Sequence, residues 1–111
     1  MKILVSAISE GLDAPVDMRF GRGAYYCVVD TETLACESHA NPALNASGGA
    51  GIQAGQFAET LKVSAVISGH FGPKAADVLR AAGIPMILLG ESKTVQDAVN
   101  SYKAGQLQQF D

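Results

Sequence analysis

The chain has 111 residues, 48% of them hydrophobic and 17% charged, so it carries enough apolar material for a buried core and is expected to form one domain over 1–111. A net charge of −3 argues against a nucleic-acid binder, which needs a concentrated basic surface. No segment approaches the roughly 18 consecutive apolar residues of a membrane span. Met1-Lys2 also leads straight into a strand-like run without a signal-peptide pattern, so a cytoplasmic protein is expected.

Lys2 to Ile8 is a continuous apolar run of strand length, suited to a sheet covered on both faces. Ser9 to Phe20 is broken by Gly11, Asp13, Pro15 and Asp17 and reads as a loop ending in Arg19-Phe20-Gly21-Arg22-Gly23. Ala24 to Asp30 is aromatic and β-branched, hence a strand, and Leu34 to Ala40 returns as the other arm of a hairpin. A two-residue Thr31-Glu32 loop would set Cys27 opposite Cys36. Thr-Glu suits the left-handed angles of such a turn poorly, which favours a longer loop and a shifted register. The cysteines are read as buried structural thiols, too few for a four-cysteine iron–sulfur site.

Asn41 to Gln53 holds Gly48, Gly49 and Gly51 and runs into a helix whose apolar face is Ala54, Phe57, Ala58 and Leu61. The glycines match neither the dinucleotide fingerprint nor the Walker A loop. Ser64 to Ser68 is a buried strand. Gly72-Pro73 opens a second helix with face Ala75, Val78, Leu79 and Ala82, ended by Gly83. Ile84 to Leu89 is the last strand, and Thr94 with Asp97 forms a capping-box pattern before Val95, Ala98, Val99 and Tyr102. Gln106 to Asp111 is expected to fray. The order β-β-β-α-β-α-β-α predicts an α/β protein with a mixed sheet covered by helices. Ligands of such sheets gather beyond the carboxyl ends of the strands, where the loops Ser9–Gly23, Asn41–Gly51 and Gly69–Lys74 fall.

Four segments together carry a family resemblance that covers nearly the whole chain. They are Asp17-Met18-Arg19-Phe20-Gly21-Arg22, Asn45 to Gln53, Ser68 to Ala75, and Thr94 to Leu107. The chain resembles the dinitrogenase iron–molybdenum cofactor biosynthesis family, which includes small carriers of metal–sulfur clusters and stand-alone domains of anaerobes and archaea. The resemblance implies a ribonuclease-H-like fold with a five-stranded mixed sheet. It also implies an anionic molybdenum-containing sulfide cluster as cargo, either the iron–molybdenum cofactor or its precursor, or a molybdenum–copper sulfide cluster. Cofactor-assembly or ATPase proteins would then be partners, with the chain a monomer or weak dimer.

A thiometallate is a polyanion, so Arg19 and Arg22 around Phe20-Gly21 are candidates to hold it through permanent charge and forked donors. Asn45, Ser47, Gly48, Gly49 and Gly51 would offer N–H groups and a helix N-terminus. His70, within Gly69-His70-Phe71-Gly72, is the candidate metal contact or N–H donor, with Lys74 adding charge nearby. His39 and Met18 are further metal candidates, Met18 as a soft thioether. No Ser-His-Asp arrangement, metal-ligand spacing or acidic cluster nominates a catalytic residue, so a carrier is expected and not an enzyme. A binding module for a phosphate-bearing ligand and a protein-interaction domain remain the alternatives.

Overall fold

The computed structural model describes residues 1–44 and 48–110. Five strands form one mixed sheet: β1 (Lys2–Ala7), β2 (Tyr25–Asp30), β3 (Cys36–Ala40), β4 (Ala65–Ser68) and β5 (Met86–Leu88). Three helices join them: α1 (Ala50–Thr60), α2 (Pro73–Ala81) and α3 (Val95–Lys103). The strands lie in the order β3-β2-β1-β4-β5, with β1 antiparallel to β2 and parallel to β4. This is the ribonuclease-H-like arrangement expected, in the expected element order.

The apolar run of β1 is buried on both faces because helices cover both. Leu4, with Tyr26, Val28 and Val66, packs under α1 and α2, while Ile3 and Val5, with Cys27, Val29 and Ile67, pack under α3. The period of two along each strand divides the core into these two layers. Helices α1 and α2 approach closely because Gly55 has no side chain: a Cβ there would lie 2.8 Å from Cγ1 of Val78.

The hairpin loop is longer than two residues. Asp30 Oδ1 accepts from the N–H groups of Glu32 and Thr33, and Leu34 takes a left-handed φ of 63°. The register therefore sets Cys27 opposite Ser38 and Cys36 opposite Val29. At α3 the capping box is complete, with Thr94 accepting from the Asp97 N–H and Asp97 accepting from the Thr94 N–H.

The C-terminal tail departs from the expected fraying. Leu88 N–H donates to the Gln108 carbonyl at 2.8 Å, Phe110 N–H donates to the Met86 carbonyl at 2.8 Å, and Ile87 bridges Gln109 in antiparallel fashion. Two forces hold it. The outer edge of β5 offers unpaired backbone groups, and Phe110, which with Leu107 is apolar in a mainly polar run, packs on Phe71 with ring centroids 5.3 Å apart. Among the described residues no helix is long and apolar enough to cross a membrane.

Candidate functional site

The site is built at the carboxyl ends of β1 and β4, where the sheet switches from antiparallel to parallel pairing. Ser6 and Ser68 sit side by side there, both fully buried. Ser6 Oγ donates to the Asp17 carbonyl at 2.7 Å and lies 2.8 Å from Ser68 Oγ. These hydroxyls satisfy backbone that would otherwise be buried without partners, and they anchor the start of the 17–23 loop.

That loop is clamped along its length. Phe20 N–H donates to the His70 carbonyl at 3.1 Å, beside a parallel bridge between Arg19 and His70. The Tyr26 hydroxyl donates to the Phe20 carbonyl, and Asn41 Nδ2 donates to the carbonyls of Gly21 and Gly23 at 3.1 and 2.8 Å. Burial, reinforced by the charge of Asp17, pushes the Tyr26 phenol far above its ordinary range, so it stays a donor. Asp17 also accepts from the Arg19 N–H at 2.9 Å and lies 3.5 Å from Arg19 Nε. With the Arg19 side chain 68% exposed, that ion pair orients the guanidinium more than it stabilises the fold.

The loop forms one wall of a cleft of about 330 Å³, toward the small end of ligand sites. Arg19, Gly21 and Arg22 line this wall, Gly49, Ala50 and Gly51 a second, and His70, Gly72 and Lys74 a third. The N-termini of α1 and α2 both meet it. Among the described residues neither has a side-chain cap or an acidic residue in its first turn, in contrast to the fully capped α3. The first N–H groups of a helix have no intrahelical acceptor, so these two termini present donors and the positive ends of two dipoles. Two glycines shape the walls: a Cβ on Gly21 would lie 3.3 Å from Cα of Gly51, and one on Gly51 would lie 3.3 Å from the backbone N of Ala75. Gly49 takes a left-handed φ of 72°, which turns the chain into α1. No Asp or Glu lines the cleft among the described residues.

A larger cavity of about 680 Å³ lies beyond Met18, between β5, α3 and the tail. Glu91 and Asp97 line it and no Lys, Arg or His does, so an anion is better matched to the smaller cleft.

The candidates named from sequence are distributed unevenly. Arg19, Phe20, Gly21, Arg22, Gly49, Gly51, His70, Gly72 and Lys74 line the cleft. Gly48 is exposed just before Gly49 and is not part of the lining, while Asn45 and Ser47 lie outside the described residues. Phe20 and Phe71 are each about 1% exposed and stack at 5.3 Å, so they support the site from the core. Met18 is 59% exposed, crosses over Gly69 and lines the larger cavity.

His39 does not reach the cleft. It stands on edge strand β3 with its ring 5.7 Å from Phe57 and Nε2 3.6 Å from Glu37 Oε1, placed there by pairing opposite Tyr26. Among the described residues no group of three or more His, Cys, Asp or Glu is arranged to hold a metal ion. Both cysteines are free, and burial and the neighbouring Cys27 thiol push the Cys36 thiol up. Ser6, Ser68 and Asn41 were not legible as site supports. The one hint was small polar residues inside or just after buried strands.

The donor set fits a compact polyanion: backbone N–H groups at two helix ends, two guanidiniums, one ammonium and one imidazole, with no carboxylate lining the cleft among the described residues. Fold and site together define a small α/β domain with an anion-receptive cleft at the sheet's switch point. The family model described as dinitrogenase iron–molybdenum cofactor matches residues 1–105, and the chain belongs to that family. Among solved structures, the apo form of the orange protein from Desulfovibrio gigas is 41% identical with a TM-score of 0.92, over 98% of this chain and 92% of that one. A Thermotoga protein provisionally called NifB is 28% identical with a TM-score of 0.83, over 97% and 91% of the two chains. A Methanocaldococcus jannaschii protein provisionally called a dinitrogenase shares the fold at 14% identity and a TM-score of 0.70, over 100% and 95% of the two chains. No curated protein sequence matches the chain.

Proposed function

We propose that this protein binds an anionic, molybdenum-containing metal–sulfur cluster non-covalently in the Arg19–His70 cleft and carries it as cargo, without catalysing a reaction. The observation that carries this reading is the convergence, among the described residues, of two helix N-termini without side-chain caps and of Arg19, Arg22, His70 and Lys74 on one cleft that no carboxylate lines. Similarity to a protein solved in an apo form, and a family description that names a molybdenum cofactor, support a metal–sulfur anion over other anions. Sulfide edges accept from N–H donors and guanidiniums, and such contacts release their cargo without breaking a covalent bond. Delivery to cofactor-assembly or ATPase proteins would follow from that reversibility.

The test is anaerobic titration of the purified protein with tetrathiomolybdate, with and without copper(I), followed by desalting, visible absorption and metal analysis. A stoichiometric coloured complex that survives desalting supports the carrier. Absence of retained colour overturns a thiomolybdate or molybdenum–copper cargo and moves the choice to a preassembled iron–molybdenum cluster or to the phosphate-ligand and protein-interaction readings. The same cradle of N–H groups suits phosphate, and a thermal shift on adding inorganic phosphate or a nucleotide, without colour, would favour that second reading.

A further inference from the structure

We propose that Cys27 and Cys36, with Ser38 between them, form a two-thiolate site for copper(I) on the face of the sheet opposite the anion cleft. The hairpin register makes the cysteines diagonal neighbours on one face, since Cys27 pairs with Ser38 and Cys36 with Val29. Both sulfurs converge on a single hydroxyl: Ser38 Oγ lies 3.5 Å from Cys27 Sγ and 4.0 Å from Cys36 Sγ. Gly11 N–H donates to that same oxygen at 3.0 Å. One of its two lone pairs is thus engaged, and the Ser38 hydroxyl proton can donate to a thiolate.

Access and ligand number then select the ion. Cys27 is fully buried, whereas Cys36 is half-buried on β3, a terminal strand of the sheet, so an ion enters from the Cys36 side. Structural zinc takes four ligands and iron–sulfur clusters take four cysteines, but no third His, Cys, Asp or Glu joins this pair among the described residues. Copper(I) is soft, prefers thiolates and is satisfied by two of them. Coordination replaces two S–H protons, released to solvent, by one Cu⁺, leaving the pair with one net negative charge. The site stands apart from the cleft and does not depend on the cargo proposed above.

The experiment is an anaerobic competition between the reduced protein and the copper(I) complex of bicinchoninate, with X-ray absorption at the copper edge. Wild-type protein is expected to withdraw one copper(I) per chain, with two sulfur neighbours, and to lose both thiols to a thiol reagent. Arg19→Ala and His70→Ala should keep wild-type affinity. Cys36→Ser, at the more exposed position, should weaken copper binding by roughly 100-fold or more, since it removes one of two donors where loss of an outer-shell partner alone costs about 10- to 100-fold. Cys27→Ser should do the same, with circular dichroism confirming its fold. Failure to withdraw copper overturns the site. So does wild-type affinity in Cys36→Ser, which would assign the ion to a methionine or histidine elsewhere.

Discussion

The Phe20 N–H donates to the His70 carbonyl at 3.1 Å, and through this bond two loops distant in sequence hold two walls of the cleft together. Because the tie is main chain to main chain, it survives replacement of the neighbouring side chains. Arg19→Ala and His70→Ala should therefore change stability by no more than about 0.5 kcal/mol, as surface substitutions do. Each should weaken retention of a thiomolybdate roughly tenfold to a hundredfold, the scale of a lost charge-assisted hydrogen bond. Thermal unfolding and retention after desalting, measured on the same samples, check both halves. Unchanged retention in both variants would remove these residues from the site.

Gly72 offers a sharper separation of folding from binding. It is the N-cap of α2 with φ −64° and ψ 160°, angles any residue adopts, and a Cβ there meets nothing within 4 Å. Gly72→Asp should stabilise the protein by a few tenths of a kcal/mol by capping the free N–H groups. The same carboxylate would occupy the donors meant for an anion and repel it, so cluster binding should fall steeply. A raised melting temperature with intact binding would show that the α2 terminus takes no part.

Tyr26 governs the alkaline limit. Burial first, then the charge of Asp17, raises its folded pKa. Below about pH 10 the phenol is protonated in both states and contributes no pH dependence. Above that the unfolded chain releases the proton while the folded chain keeps it. Stability then falls as pH rises, by at most about 1.4 kcal/mol per pH unit. Tyr26→Phe should flatten this loss and cost ~1 kcal/mol at neutral pH, since the Phe20 carbonyl loses its donor. Denaturant unfolding of both proteins between pH 8 and about 11 measures it, and equal slopes would contradict the assignment.

The C-terminal tail should behave as structure. Phe110→Ala removes its contact with Phe71 and its T-shaped contact with the His70 ring, whose centroid lies 6.3 Å away. A loss of roughly 1–2 kcal/mol is expected for this partly buried ring. In hydrogen exchange the Leu88 and Phe110 amides should be protected in the wild type and lose protection together in the variant. Fast exchange of both amides in the wild type would restore the frayed tail.

Local signals determined a good deal. Apolar runs of strand length, the 3.6-residue spacing in three segments, Pro73 at a helix start and the Thr94-Asp97 cap are each set by neighbours within a few positions, so element order and type followed from the chain alone. The glycines, arginines and His70 were legible as loop residues at strand ends, and the family resemblance was carried by those same segments. The hairpin register was partly legible too, because Thr-Glu is poor in a two-residue turn.

Only the tertiary structure decided which loops meet. His39 and His70 are both loop-adjacent histidines by sequence, yet strand pairing sets one on the sheet edge against Phe57 of α1 and the other in the cleft. The tail reads as polar, yet the open edge of β5 and the Phe71 ring hold it. The absence of caps on α1 and α2 acquires meaning only when both termini face the same space. Short-range patterns set helices and strands because their hydrogen bonds close within a few residues. A site assembled from three loops depends on contacts across the whole chain, and those exist only once the sheet has set the order of its strands.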